Sequence, residues 1–349
     1  MDLVTKLATE HILKEDEFKT LLLTEKVAER NKLFSYAQQV AIFNFNKQIY
    51  IRGLIEFTNH CQKDCFYCGL RCSNKYVSRY RLTKEQILTC CKRGYNLGFR
   101  TFVLQGGEDH YFTDDVMCDI ISAIKMYFPD CAITLSIGER TRRSYQRLYD
   151  AGADRYLLRH ETADSLHYSR LHPPSYKLST RLDCLRDLKE IGFQVGAGFM
   201  VGAPYEVPEY LVGDFLYLKE LEPAMIGIGP FIPQQDTPFR HQEPGSLEMT
   251  LRCIAILRLM FPRALIPATT ALATLHPNGR VHGILSGANV IMPNLTPEDE
   301  RDKYTLYDGK TTASGEAVSS LRLVNSQLRN IGYEMVVDRG DYTPELPEE

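Results

Sequence analysis

The chain has 349 residues, 44% of them hydrophobic and 24% charged, with a formal net charge of −3. That length admits one large barrel or two ordinary domains, and the composition is that of a globular protein. The slight acidity and the scatter of Lys and Arg argue against nucleic acid or an anionic membrane as the main partner.

No apolar run approaches the roughly 20 residues that a bilayer span needs. The opening stretch MDLVTKLATEHILKEDEF mixes acids with bases, so neither a secretory signal nor a transit peptide is expected. A reducing cytoplasmic location is the expectation. There, clustered cysteines bind metal or do redox chemistry more often than they form disulfides.

From residue 5 to about 47, apolar spacing at i, i+3, i+4 predicts helices. A different rhythm follows. RGLIEFTN (52–59) predicts a buried strand, and TKEQILTCCKRGYNLG (83–98) a helix with Thr83 as N-cap. TFVLQ (101–105) is the second predicted strand, with a helix over 114–127. AITLS (132–136) precedes a helix at 142–151, and RYLLRHE (155–161) one at 179–191. VGAGFMVG (195–202) precedes 208–221, and MIGIGPF (225–231) precedes 248–261. LIPATTA (265–271) and ANVIMP (288–293) complete eight strand segments, with the weakest helical pattern at 272–285 between them.

Alternation of this kind implies parallel strands joined by right-handed crossovers. The expected fold is α/β, a (β/α)8 TIM-type barrel over residues 51–297. Residues 1–50 form helices expected to cap it, and 298–349 an extension whose acidic tail, YTPELPEE, is expected to be partly disordered. The polar stretches CQKDCFYCGLRC, GGED, HET, PFIPQQDTP, ATT and MPN each follow a predicted strand. In a barrel that is the C-terminal rim, where active sites are built.

Four of the ten cysteines fall at Cys61, Cys65, Cys68 and Cys72. Structural zinc would use four thiolates, usually as two distant C-x2-C pairs. A ferredoxin-type electron carrier would use four close cysteines with slightly different spacing. A third reading takes only Cys61, Cys65 and Cys68, leaving one iron of a cluster open to substrate, as an open position marks catalytic zinc. Cys72 is then a spare loop thiol. Cys90, Cys91, Cys118, Cys131, Cys184 and Cys253 read as small core residues.

The C-x3-C-x2-C spacing, with aromatic Tyr67 before the last cysteine, resembles the radical S-adenosylmethionine (SAM) superfamily. The resemblance implies a [4Fe–4S] cluster on those three cysteines and SAM as cofactor. Gln105, Gly106, Gly107 and Glu108 then resemble the superfamily's turn for the SAM ammonium, although G-G-E alone is a common turn. Glu161 ends the fourth predicted strand and Arg181 opens the next helix. The pair could balance an ammonium and grip a carboxylate, or form a structural salt bridge with each other.

RGLIEFTNHC, LQGGED, TLSIGE, AGADRYLLRHETAD, GIGPFIPQQDTP, IPATTALATLHPNGR and SGANVIMPNLTP are together similar to HydE, the radical SAM maturase of [FeFe]-hydrogenase. The similarity runs from about Ile51 to Tyr307. It implies a 5′-deoxyadenosyl radical made by reductive SAM cleavage and acting on a cysteine-bound iron carbonyl cyanide unit. Other hydrogenase maturases and a reductant such as ferredoxin or flavodoxin are the implied partners. Carried over residue by residue, Thr134, Arg159, Met225, Thr269, Thr270 and Tyr307 fall where HydE lines its cavity. An Arg with two adjacent hydroxyls suits an amino-acid carboxylate. Against that, Thr269 and Thr270 could merely finish a strand, and Met225 could be core.

The chain departs from many HydE proteins in having no cysteine after Cys253, so no second, C-terminal cluster is expected. Kinship with biotin synthase and methylornithine synthase, visible in SGAN, leaves open another radical SAM reaction on an amino-acid-like substrate. A non-catalytic iron–sulfur scaffold would need neither the GGE turn nor the Glu161/Arg181 pair.

Overall fold

The computed structural model describes residues 2–310 and 317–344. Six strands, Gly53–Thr58, Thr101–Gly106, Ala132–Ser136, Arg155–Leu157, Gln194–Ala197 and Met225–Ile226, lie side by side in chain order, all parallel. Residues 265–267 bridge Met225 on one side and Val290 on the other. Val290–Ile291 leads to Asn294, which bridges Leu54 of the first strand and closes the ring. This is the expected (β/α)8 barrel. Its strands are apolar runs because helices cover the outer face and the interior is filled, so neither face meets water.

The outer helices begin where the sequence offers a cap. Thr83 accepts from the Gln86 amide at the head of Lys84–Asn96, and Thr113, Thr141 and Ser246 do the same for Asp114–Tyr127, Arg142–Asp150 and Leu247–Met260. Leu178–Ile191 ends in Gly192, and Pro208–Leu221 starts on its own proline. The weak seventh segment is two short helices, Thr270–Leu275 and Gly279–Leu285. Pro277 lies between them, where a missing N–H prevents one continuous helix.

Other elements depart from the sequence expectation. A helix at Ser165–Leu171, capped by Asp164, precedes the expected one after the fourth strand. Gln48–Ile51 is a strand paired with Val290–Ile291 and with Glu334–Val336, outside the main ring. The fifth and sixth segments are broken rather than continuous, resuming as the pair Met200–Val201 and Gly229–Pro230. Gly198 sits at the break with φ +154, and a Cβ there would lie 2.0 Å from the Gly227 carbonyl oxygen. No side chain fits, so the backbone can turn there only as glycine.

The N-terminal helices Leu3–Glu10, Glu15–Leu23 and Val27–Phe45 pack on the outer helices Pro208–Leu221 and Leu247–Met260. Phe18 meets Phe215 at 5.4 Å between ring centroids, and Arg252 donates to the carbonyls of Leu22 and Thr24. Among the described residues no helix is long and apolar enough to cross a membrane.

The N-terminal ends of the barrel strands hold a buried charge group that the sequence did not announce. Arg155, fully buried, donates to Thr101 Oγ1, to the Arg339 and Gly340 carbonyls, and to Asp341 Oδ1 at 2.6 Å. Tyr342 N donates to Gln194 Oε1, so Tyr342, the first residue of the predicted tail, is anchored next to Asp341; residues 345–349 lie outside the described residues. Removing the partner of a buried guanidinium leaves its desolvation unopposed. Asp341→Ala should therefore lower stability by about 2 kcal/mol, less than the roughly 3–5 kcal/mol of a fully buried pair because Asp341 is partly exposed and Arg155 keeps its other acceptors. A urea titration with an unchanged midpoint would contradict this role.

Candidate active site

The C-terminal ends of the strands surround a cavity of about 350 Å³ lined by residues from nearly every strand end. The loop after the first strand, residues 59–82, forms one wall with neither helix nor strand of its own. Side chains hold it instead. The Arg79 guanidinium donates to the carbonyls of Asn59, Leu70, Arg71 and Asn74. Asn59 accepts from the Tyr80 amide at 2.7 Å and donates to the Ser78 and Lys303 carbonyls at 2.8 Å each. Asp64 takes Arg71 in a two-point pair at 2.8 and 2.6 Å.

So held, the loop sets Cys61, Cys65 and Cys68 in the cavity wall. Burial pushes all three thiols up, Cys65 to about 12, so bound metal must displace their protons. The Lys63 amide donates to Cys61 Sγ at 3.4 Å. Among the described residues no three His, Cys, Asp or Glu side chains converge on a single-ion site. Cys72 is exposed and lies outside this cavity, in a recess on the outer side of the loop that Cys61 also borders. The remaining six cysteines are buried or half-buried away from it.

Tyr67 also faces the cavity, and its hydroxyl lies 3.2 Å from His172 Nε2. His172 Nδ1 is 2.9 Å from the Tyr168 carbonyl, which can only accept, so Nδ1 carries the proton and Nε2 accepts from Tyr67. Burial lowers His172 to about 4 and keeps it neutral.

Gln105, Gly106, Gly107 and Glu108 line the wall opposite in sequence. A Cβ on Gly107 would sit 2.2 Å from the His60 carbonyl oxygen and 2.7 Å from Cys61 Cβ. The glycine thus lets this turn close directly on the backbone of the cysteine loop. Glu108 is nearly buried; its Oε1 accepts from the Glu139 amide at 3.0 Å, and Lys63 Nζ stands 3.6 Å from its Oε2. Burial raises its pKa.

From there a chain of charges links Lys63 and Arg181 of the cavity wall through Glu139. Lys63 binds Glu139 at 2.6 Å, and Glu139 binds Arg181 Nε at 2.8 Å. Burial works against the Glu139 carboxylate, but Arg181 and Lys63 outweigh it and hold its pKa low. Arg181 Nη1 reaches the Arg159 carbonyl at 3.3 Å, while the Arg159 side chain lies 3.1 Å from Glu161. The expected alternative of a Glu161–Arg181 bridge is therefore not what forms: each has another partner. Glu161 holds a left-handed φ of 67, a conformation costly for a non-glycine residue and concentrated at functional sites.

These pairs are close in charge but poorly aligned for hydrogen bonding. Arg159 Nε and Nη2, Glu161 Oε2, Arg181 Nε and Thr269 Oγ1 are buried without a hydrogen-bond partner. All four residues line the cavity. Unmet donors and an unmet acceptor in one place fit a ligand carrying both a carboxylate and an ammonium, as SAM does. Half-buried thiols beside them fit an iron–sulfur group.

Thr270 and Tyr307 line the same cavity, and burial raises Tyr307 to about 12. Thr269 starts the helix Thr270–Leu275 rather than finishing a strand. Two expected cavity residues lie elsewhere. Thr134 is buried within the third strand, and Met225 lies at the sixth strand's start with its sulfur 2.9 Å from Arg52 Nη1. Both are core positions, Met225 as its residue type favours. Sequence reasoning missed Glu56, Lys63, Arg79, Glu139, Tyr304 and Lys310. A lone acid inside the apolar run GLIEFT was a usable signal for Glu56; nothing local marked Lys310, which approaches from outside the barrel.

The model of the radical SAM superfamily matches residues 55–218. The [FeFe]-hydrogenase maturase subunit HydE of Thermotoga maritima is 42% identical over 325 residues, 92% of each chain. The 3-methylornithine synthase of Methanosarcina acetivorans is 29% identical over 298 residues, covering 85% of this chain and 83% of the relative. A crystal structure of methylornithine synthase superposes with a TM-score of 0.83 at 26% identity, covering 96% of this chain and 97% of the other. Fold, thiol loop and cavity together define a radical SAM enzyme. Within that superfamily the chain belongs to the HydE family. Membership implies a [4Fe–4S] cluster and cleavage of SAM.

Because Cys72 stands outside the cavity, Cys72→Ser should leave about four irons per reconstituted chain, whereas Cys65→Ser should lose the cluster. Iron and sulfide analysis with the visible absorption spectrum checks both. Loss of iron from the Cys72 variant would restore a four-cysteine site.

Proposed function

We propose that this enzyme acts in assembly of the [FeFe]-hydrogenase diiron site, on an amino-acid-like substrate, a cysteine-bound iron carbonyl cyanide unit. Cys61, Cys65 and Cys68 would hold the cluster. When bound, cluster and SAM supply a one-electron cleavage of the C5′–S bond and a 5′-deoxyadenosyl radical. The observation that carries this reading is the set of unpartnered buried atoms on Arg159, Glu161, Arg181 and Thr269 in a chain this similar to HydE.

Each residue then has a physical task. Glu161, strained and poorly aligned with Arg159, suits the SAM ammonium; the Arg181 guanidinium, anchored through Nε by Glu139, suits its carboxylate. The Lys63–Glu139–Arg181 chain keeps Arg181 charged and oriented. The Tyr67–His172 bond fixes the ring between two cysteines of the loop. Arg159, Thr269, Thr270 and Tyr307 supply donors for a substrate carboxylate, and the apolar part of the wall, including Leu157, Met200 and Phe231, limits water near reactive species. Other hydrogenase maturases and a small reductant such as ferredoxin or flavodoxin are the proposed partners, with the cytoplasm as location.

The likeness in fold to methylornithine synthase favours a second reading, radical chemistry on a free amino acid. A maturation assay separates them: omitting this protein alone should abolish hydrogenase activity, and restoring it should return activity. Hydrogenase that matures equally without it would exclude the first reading. In both readings dithionite with SAM should yield 5′-deoxyadenosine, and Glu161→Gln should raise the KM for SAM about ten-fold or more, the size of a lost charge-assisted contact. An unchanged KM would remove Glu161 from the SAM site.

A further inference from the structure

The segment 303–310 crosses from the cysteine loop to the first strand, and its contacts touch both. At one end the Lys303 carbonyl accepts from Asn59 Nδ2 at 2.8 Å, and the Leu306 carbonyl accepts from the Gly69 amide at 2.9 Å. The approach is so close that a Cβ on Gly69 would lie 2.0 Å from the Thr305 carbonyl oxygen. In between, the Tyr304 hydroxyl accepts from Gln105 Nε2 at 3.3 Å, and the Asp308 amide donates to the Pro233 carbonyl at 3.0 Å. At the far end Lys310 Nζ pairs with Glu56 Oε1, donates to the Tyr304 carbonyl at 3.1 Å and sits over the Tyr304 ring at 4.5 Å. Tyr304, Leu306, Tyr307 and Lys310 all line the cavity.

Glu56 is the element that makes this arrangement directional. It lies inside the first strand, fully buried, and its second oxygen accepts from Asn294 Nδ2 at 2.8 Å. A buried carboxylate needs a cation, and among the described residues the one in ion-pair contact comes from this segment rather than from the barrel. Lys310 side-chain exposure is 11%, so the pair is shielded from solvent screening. Lifting the segment would strip Glu56 of its charge partner and the Gly69 amide of its acceptor together.

We propose that Glu56 and Lys310 are positioning residues: their ion pair latches segment 303–310 across the cavity and thereby sets Tyr307 against the interior. The proposal rests on the radical SAM reading for its purpose, since a shielded cavity matters where a radical must be kept from solvent. It rests on the contacts alone for its mechanics.

Amide hydrogen exchange on the iron-loaded protein tests it. Peptides covering Gly69 and Asp308 report the two backbone bonds that the latch protects. Lys310→Met should speed their exchange about ten-fold while exchange in the barrel strands and the iron content stay unchanged. Lys310→Arg, which keeps the charge, should restore protection, and Glu56→Gln should behave as Lys310→Met. Unchanged exchange in Lys310→Met overturns the latch, as does equal loss of protection in Lys310→Arg. If the unaltered protein fails to bind or cleave SAM, the functional reading falls while the exchange result still decides the latch.

Discussion

Four backbone carbonyls converge on the guanidinium of Arg79, and the arrangement of the site depends on them. The cysteine loop has no hydrogen-bond ladder of its own, so its shape must be imposed by side chains that substitute for one. Arg79 does this from inside the loop, Asn59 at its base and the Asp64–Arg71 pair at its flank. With those bonds made, three thiols face the cavity and the fourth cysteine is left outside. The distinction between Cys68 and Cys72, four positions apart, is thus a property of how the loop is tied.

The second constraint is charge. Lys63, Glu139 and Arg181 alternate in sign, and Arg159 with Glu161 makes a second pair beside them; a low-dielectric interior tolerates such charges only when they are paired. The pairing here is incomplete in hydrogen-bond terms, and the unmet atoms of Arg159, Glu161 and Arg181 belong to residues of the cavity wall. A site whose charges are paired but whose hydrogen bonds are incomplete is prepared for a zwitterionic ligand. The left-handed backbone at Glu161 belongs to the same arrangement, held by its bonds to Gly198 and Met200.

The barrel was legible in the sequence because its signals are local. Buried parallel strands read as short apolar runs, and Thr83 and Pro208 announce helix starts through chemistry confined to one turn. The three cysteines and the GGE turn were legible for the same reason. What escaped notice depends on distant partners. Gln48–Ile51 is a strand only because Val290–Ile291 and Glu334–Val336 flank it. A bridge between Arg181 and Glu161 was one of two readings, but Arg181 found Glu139, a residue on a different loop. Thr134 and Met225 were placed by resemblance, and their strand positions put them in the core instead. Lys310 reaches Glu56 across 254 positions of chain, a separation no periodicity can encode.

The central claim is that three thiols and the polar wall beside them form one site, in which iron and SAM are bound together. Equilibrium titration of SAM into iron-loaded and iron-free protein tests it most directly. One SAM per chain, bound about ten-fold or more tightly when the cluster is present, is the result this account predicts. Equal affinity with and without iron would show two independent sites and contradict it.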